Sequence, residues 1–126
     1  MHPTIGMMSA GRSSELGKKV LLLEKNESLG KKLLITGGGR CNVTNAETDN
    51  RKLLAKFKDA EQFLFSAFSQ FAVSDALNFF HIRNMETKEE AGQRVFPESE
   101  RSQSVWDVLV ENMKKNNVTV LSNSPV

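Results

Sequence analysis

The chain has 126 residues, 39% hydrophobic and 25% charged, ordinary values for one folded domain with room for a core. Its 17 basic and 15 acidic residues leave a formal charge of +2, too small and too scattered to mark a nucleic-acid or membrane-surface protein. The single cysteine, Cys41, excludes an internal disulfide. No secretory signal pattern opens the chain, and the longest apolar run, Val20 to Leu23, falls far short of the roughly 18 residues that cross a bilayer. These features point to a cytoplasmic protein.

In chain order, Gly6 to Leu16 is rich in small, helix-compatible residues and stops at Gly17, which reads as a helix with a glycine terminator. The run Val20-Leu21-Leu22-Leu23 that follows predicts a parallel strand buried on both faces, ending in the carboxylate of Glu24. Leu29 to Asn45 carries Thr36-Gly37-Gly38-Gly39-Arg40-Cys41-Asn42 and reads as a functional loop, too glycine-rich to continue a helix.

From Arg51 the apolar residues return at helical spacing through Phe80, predicting two or three helices. Seven of the 8 phenylalanines fall between Phe57 and Phe80, and their three-to-four spacing predicts core packing against neighbouring helices. Met85 to Pro97 reads as a small hairpin or irregular excursion. Ser102 to Lys115 predicts an amphipathic helix with lysines in its last turn, where the helix dipole favours cations, and Val118 to Leu121 predicts the next strand.

Helix, strand and helix in alternation give an α/β fold, with the strands at Val20 and Val118 parallel neighbours joined by a long crossover. The expected organisation is one compact region, 1–126, with a helical insertion at about 46–100. In dinucleotide-binding βαβ units the last glycine of G-x-G-x-x-G lets helix and strand pack closely, and an acidic residue ending the second strand accepts hydrogen bonds from a ribose. Gly6 and Glu24 suit these two roles, whereas Met1 to Ile5 holds neither the two earlier glycines nor an apolar strand. A first strand is therefore missing from this reading, which leaves one edge of the Val20 strand unpaired and open to self-association.

Gly30-Lys31-Lys32-Leu33-Leu34-Ile35 leads into Thr36-Gly37-Gly38-Gly39-Arg40-Cys41-Asn42-Val43-Thr44-Asn45, and here the sequence resembles the flavoprotein family called BaiN-like or YhiN-like. That family is also described as aminoacetone oxidase family FAD-binding enzymes. The likeness continues through Phe65-Ser66-Ala67-Phe68-Ser69 and Arg94-Val95-Phe96-Pro97, so it covers almost the whole chain, although family members are several times longer. It implies a partial Rossmann-like FAD-binding domain and an FAD-dependent oxidoreductase, with NADH or NADPH as reductant and an unknown small-molecule substrate. Nucleic acid and membrane are not expected partners.

The resemblance further implies that Gly6, with Met7 beside it, closes the phosphate-binding turn, and that Glu24, with Lys25 beside it, holds the adenosine ribose. Gly38, Gly39, Arg40, Cys41 and Asn42 would approach the FAD, with Arg40 neutralising phosphate or orienting the cofactor. Lys32 would contact phosphate, and a backbone group at Val126 would meet adenine. Cys41 is expected as a structural or cofactor-lining thiol, because no Cys-x-x-Cys partner exists. His81 is expected to cap a helix or face solvent, and two histidines with one cysteine so far apart make no metal site. No catalytic acid or base can be named.

The function expected is thus a fragment of an FAD-dependent oxidoreductase that supplies the ADP-ribose side of the FAD site and is not catalytically competent alone. The alternative is a noncatalytic helical interaction or self-association module built on Phe57 to Phe80.

Overall fold

The small residues of the first segment form helix α1, Pro3–Glu15, in the computed structural model, which describes residues 3–125. Met1, His2 and Val126 lie outside the described residues. Gly17 ends α1 as the sequence predicts. Its φ of 78° turns the chain left-handed, its N–H bonds the Ser14 carbonyl at 2.9 Å, and Lys18 N–H reaches back to Ser13 O at 3.1 Å. The chain then divides into two compact units, one of residues 1–41 with 101–126 and the other of residues 42–100.

In the first unit, β1 (Leu21–Leu23) pairs in parallel with β5 (Thr119–Leu121), Leu22 opposite Val120. Helix α6, Ser102–Lys115, buries Val105, Val108, Leu109, Asn112 and Met113, a stripe at three-to-four spacing. It packs on α1, where Gly11 permits the approach: a Cβ there would lie 2.5 Å from Asn112 Nδ2. The Ser14 hydroxyl also donates to the Asn116 carbonyl.

The strand departs from expectation. Leu21, Leu23 and Leu121 are exposed, at 56%, 41% and 46%, while Leu22 and Val120 are half-buried. Side chains alternate along a strand, and α1 covers the Leu22 face, where a Cβ on Gly6 would touch Leu22 Cδ1 at 3.6 Å. Among the described residues no element covers the other face, so a run that looks buried on both sides is buried on one.

Leu29 to Asn45 is also not one loop. Gly30, at φ 73°, opens a short helix α2, Lys31–Ile35, anchored by buried Leu33, and a 3-10 turn follows at Thr36–Gly39. The Trp106 indole donates to Leu29 O at 2.9 Å and the Ser102 hydroxyl to Leu34 O at 2.8 Å, tying both ends of α2 to α6.

In the second unit, β2 (Thr44–Asn45), β3 (Thr87–Glu90) and β4 (Arg94–Pro97) form an antiparallel sheet in the order β2-β4-β3. The β3–β4 pair is the hairpin read from the sequence, turned by left-handed Gly92 and Gln93. Three helices separate β2 from β3. Helix α3, Asn50–Ala55, is capped by Asp49, whose carboxylate accepts from Arg51 N at 2.9 Å. Helices α4 (Glu61–Gln70) and α5 (Val73–His81) follow. The core holds Leu53, Leu54, Val73, Phe80, Met85, Val95 and Phe96.

The phenylalanines correct the second expectation. Of those between Phe57 and Phe80 only Phe80 is buried; Phe57, Phe63, Phe65 and Phe71 are exposed, and Phe68 and Phe79 are intermediate. Helix α4 buries no residue fully. Its Leu64 and Phe68 are the half-buried positions, and the Asn50 side chain donates to Phe68 O at 2.9 Å. Spacing makes faces, but the residues present here cover only one side of this helix.

Candidate functional site

Glu24 follows the last residue of β1 directly, so its position is set by the parallel pairing. Its N–H donates to Leu121 O at 2.9 Å, and its carbonyl accepts from Ser124 N at 2.9 Å. The side chain, 7% exposed, turns back on its own loop. Oε1 accepts from Asn26 N at 2.8 Å and from Asn26 Nδ2 at 2.7 Å. Two donors on one oxygen fix the carboxylate in one rotamer, and Oε2 takes no described side-chain bond. Asn26 is a site residue that the sequence reading missed, although an amide two residues beyond a strand-end carboxylate is the signal for such a turn.

The glycine segment uses its glycines. Gly37, Gly38 and Gly39 have φ of 57°, 67° and 84°, a left-handed run that costs an L-residue about 1–2 kcal/mol at each step. A Cβ on Gly38 would meet nothing within 4 Å, so backbone here is open to close approach from outside. Arg40 N–H bonds Gly37 O at 3.4 Å and Cys41 N–H bonds Thr36 O at 3.1 Å, closing the turn on itself. Thr36 Oγ1 donates to Leu33 O at 2.7 Å.

Cys41 itself is left-handed, at φ 60°, and buried. Burial pushes its thiol above the ordinary value. A side-chain hydrogen bond with Thr36 opposes this by less than burial raises it. A buried, protonated thiol without a base is no nucleophile at neutral pH.

The remaining candidates divide. Gly6 sits inside α1 against Leu22, which suits close helix and strand packing rather than the closing of a turn. At 1% exposure the Met7 side chain fills the core, its sulfur 3.6 Å from where a Cβ on Gly30 would stand. Lys25 and Lys32 are exposed, and Arg40 is half-buried. Asn42 belongs to the second unit, where its amide nitrogen donates to Val95 O at 3.0 Å and Thr44 O at 2.9 Å, so this side chain pins backbone. Val126 lies outside the described residues. Gly6, Met7, Glu24 and Gly38 to Cys41 thus fall within one unit, with the Met7 side chain in its core, whereas Asn42 begins the other.

Among the described residues no cluster of three or more His, Cys, Asp or Glu could hold a metal ion. No helix is long and apolar enough to cross a membrane. His81 is a tie between α5 and β3, its Nε2 2.8 Å from the Thr87 hydroxyl.

A family model described as the HI0933-like protein Rossmann domain matches residues 4–126. A 3-dehydro-bile acid delta(4,6)-reductase of Clostridium scindens is 31% identical over 111 residues, which are 88% of this chain and 26% of that protein. A ribosomal RNA dihydrouridine synthase of Escherichia coli is 29% identical over 121 residues, 96% of this chain and 29% of its own length. One of the same name from Haemophilus influenzae is 25% identical over 121 residues. The chain spans less than a third of these relatives. With an α/β unit, a parallel strand pair and a family match that runs from α1 through β5, this chain belongs to the HI0933-like Rossmann domain family, the flavoprotein family that its Gly37 to Asn45 run resembles.

Proposed function

We propose that this chain supplies the ADP-ribose side of an FAD site to a flavin-dependent oxidoreductase. The observation that carries this is Glu24: a buried carboxylate at the C-terminal end of a parallel strand, one oxygen held by Asn26 and the other left to accept. Ligands of open parallel sheets bind beyond the carboxyl ends of the strands, and a ribose diol is a matched donor for such an oxygen. The family match and the open backbone at Gly38 support the same reading.

When bound, FAD supplies the two-electron chemistry, and NADH or NADPH is the reductant in this proposal. The chain's own part is to orient. Glu24 fixes the ribose, the Gly38–Gly39 backbone lets the cofactor come close, and Arg40 balances phosphate charge. Met7 and Cys41 stay in the fold beneath. The relatives' names, a reductase and dihydrouridine synthases, support reductive chemistry and differ on the substrate, so the substrate class is left to the rest of the site.

The test is calorimetric titration of the chain with ADP-ribose, FAD and FMN, with Glu24→Ala alongside. ADP-ribose and FAD are expected to bind, and Glu24→Ala to weaken both about 10- to 100-fold, the worth of charge-assisted hydrogen bonds. FMN, which lacks the adenosine, should respond to neither protein. Absence of ADP-ribose binding, or a Glu24→Ala chain that binds it unchanged, refutes the reading.

A further inference from the structure

The loop after β1 is laced to the loop after β5. Glu24 N donates to Leu121 O at 2.9 Å, Ser124 N returns to Glu24 O at 2.9 Å, and Asn123 N donates to Asn26 O at 3.0 Å. Asn26 is therefore held from outside its own loop, by the segment that continues β5, and its side chain is half-buried. Held in this way it gives Glu24 Oε1 two donors, its N–H at 2.8 Å and its Nδ2 at 2.7 Å. A carboxylate oxygen has two lone-pair sites, so Oε1 is filled and a ligand donor is left with Oε2.

We propose that Asn26 is the positioning residue of the nucleotide site: its amide occupies Oε1 and thereby aims Oε2 of Glu24 at the 2′-hydroxyl of an adenosine ribose, so that the site selects ribose over deoxyribose. This rests on the reading of Glu24 as the ribose carboxylate. Asn26 touches no ligand itself. It acts through Glu24, and the parallel pairing of β1 with β5 stands behind it.

An amide suits the task because it donates without bringing a charge. The negative charge on Glu24 then stays available to the ribose, and a hydrogen bond to an ionised group is roughly twice as strong as a neutral one. Preorganisation supplies the rest. Ordering a rotamer-rich side chain at the moment of binding weakens affinity about 2- to 10-fold, and a carboxylate already fixed by Asn26 avoids that loss.

Calorimetric titration of the full chain with ADP and with 2′-deoxy-ADP tests this, because the two ligands differ only in the hydroxyl at issue. The wild-type chain is expected to prefer ADP about 10-fold or more, the worth of one hydrogen bond to a charged group. Asn26→Ala should cut that preference at least about threefold. Asn26→Asp, the same shape with an acceptor where Nδ2 donates, should cut it further. A loop that merely came loose would weaken both ligands alike and leave their ratio standing. Glu24→Ala should abolish the preference, and adding Asn26→Ala to it should change ADP affinity less than about twofold, since nothing is left to aim.

The outcomes separate the two readings. A wild-type chain without the preference, or a Glu24→Ala chain that keeps it, overturns this proposal together with the ribose role of Glu24. A preference that Glu24→Ala abolishes but both Asn26 variants retain overturns the role of Asn26 alone. So does an Asn26→Ala loss of equal size with and without Glu24.

Discussion

Cys41 combines three properties that are ordinary singly and informative together: burial, a φ of 60° and a raised thiol pKa. The sign of its pH effect follows. The folded thiol holds its proton to higher pH than the unfolded one, so its contribution to stability is complete below the unfolded value. That contribution declines as pH rises from the unfolded value through the folded one. The slope can be at most about 1.4 kcal/mol per pH unit for one group. Cys41→Ala keeps the same Cβ at the same φ and is expected to flatten the alkaline limb of urea stability against pH while leaving the pH dependence near pH 7 unchanged. Iodoacetamide should label native Cys41 far more slowly than the urea-unfolded chain at pH 8.

Among the elements, α2 depends on its entry. Gly30 lies at φ 73°, and a Cβ there would stand 2.8 Å from Trp106 Cδ1, so alanine meets backbone strain and a ring held by its bond to Leu29 O. Gly17, at φ 78° with open space around it, isolates the strain alone. Gly17→Ala should therefore cost about 1–2 kcal/mol and Gly30→Ala about 2–4 kcal/mol in chemical unfolding followed at Trp106, the single tryptophan. Equal losses would mean that Trp106 gives way. Since the glycine segment Thr36–Gly39 continues directly from α2, the larger disturbance should also blunt ADP-ribose binding.

Across the molecule, each unit has its own core, and each leaves large apolar side chains exposed. In the second unit these include Phe63 and Phe65 of α4, whereas in the first the β1–β5 face presents Leu21, Leu23 and Leu121 on a sheet of two strands. The latter predicts a sharp asymmetry within three residues. Leu21→Lys with Leu23→Lys should stay within about 0.5–1 kcal/mol of wild type, because exposed positions carry little packing. Leu22→Lys, on the face that α1 covers, should cost several times more. Thermal melts of the two variants check it, and equal destabilisation would show that the open face is covered in solution.

Much of this protein was legible as sequence because the signals were local. A glycine after a run of small residues ended α1, three-to-four spacing made α6, and a strand-end carboxylate with a glycine-rich run pointed to the family. What could not be read was cover. Periodicity tells which residues share a side of a helix or strand, but burial depends on whether another element arrives there. For that reason Leu21 and Leu23 looked internal and are not, Phe63 looked like core and is solvent-facing, and the side chain of Met7, a residue expected beside the cofactor, lies in the core. Asn42 and Asn26 carry the same lesson in hydrogen bonds. A side chain amide finds its partners among groups that the fold brings close, Val95 for one and Glu24 for the other, and only the folded chain decides whether it meets a cofactor or holds the backbone.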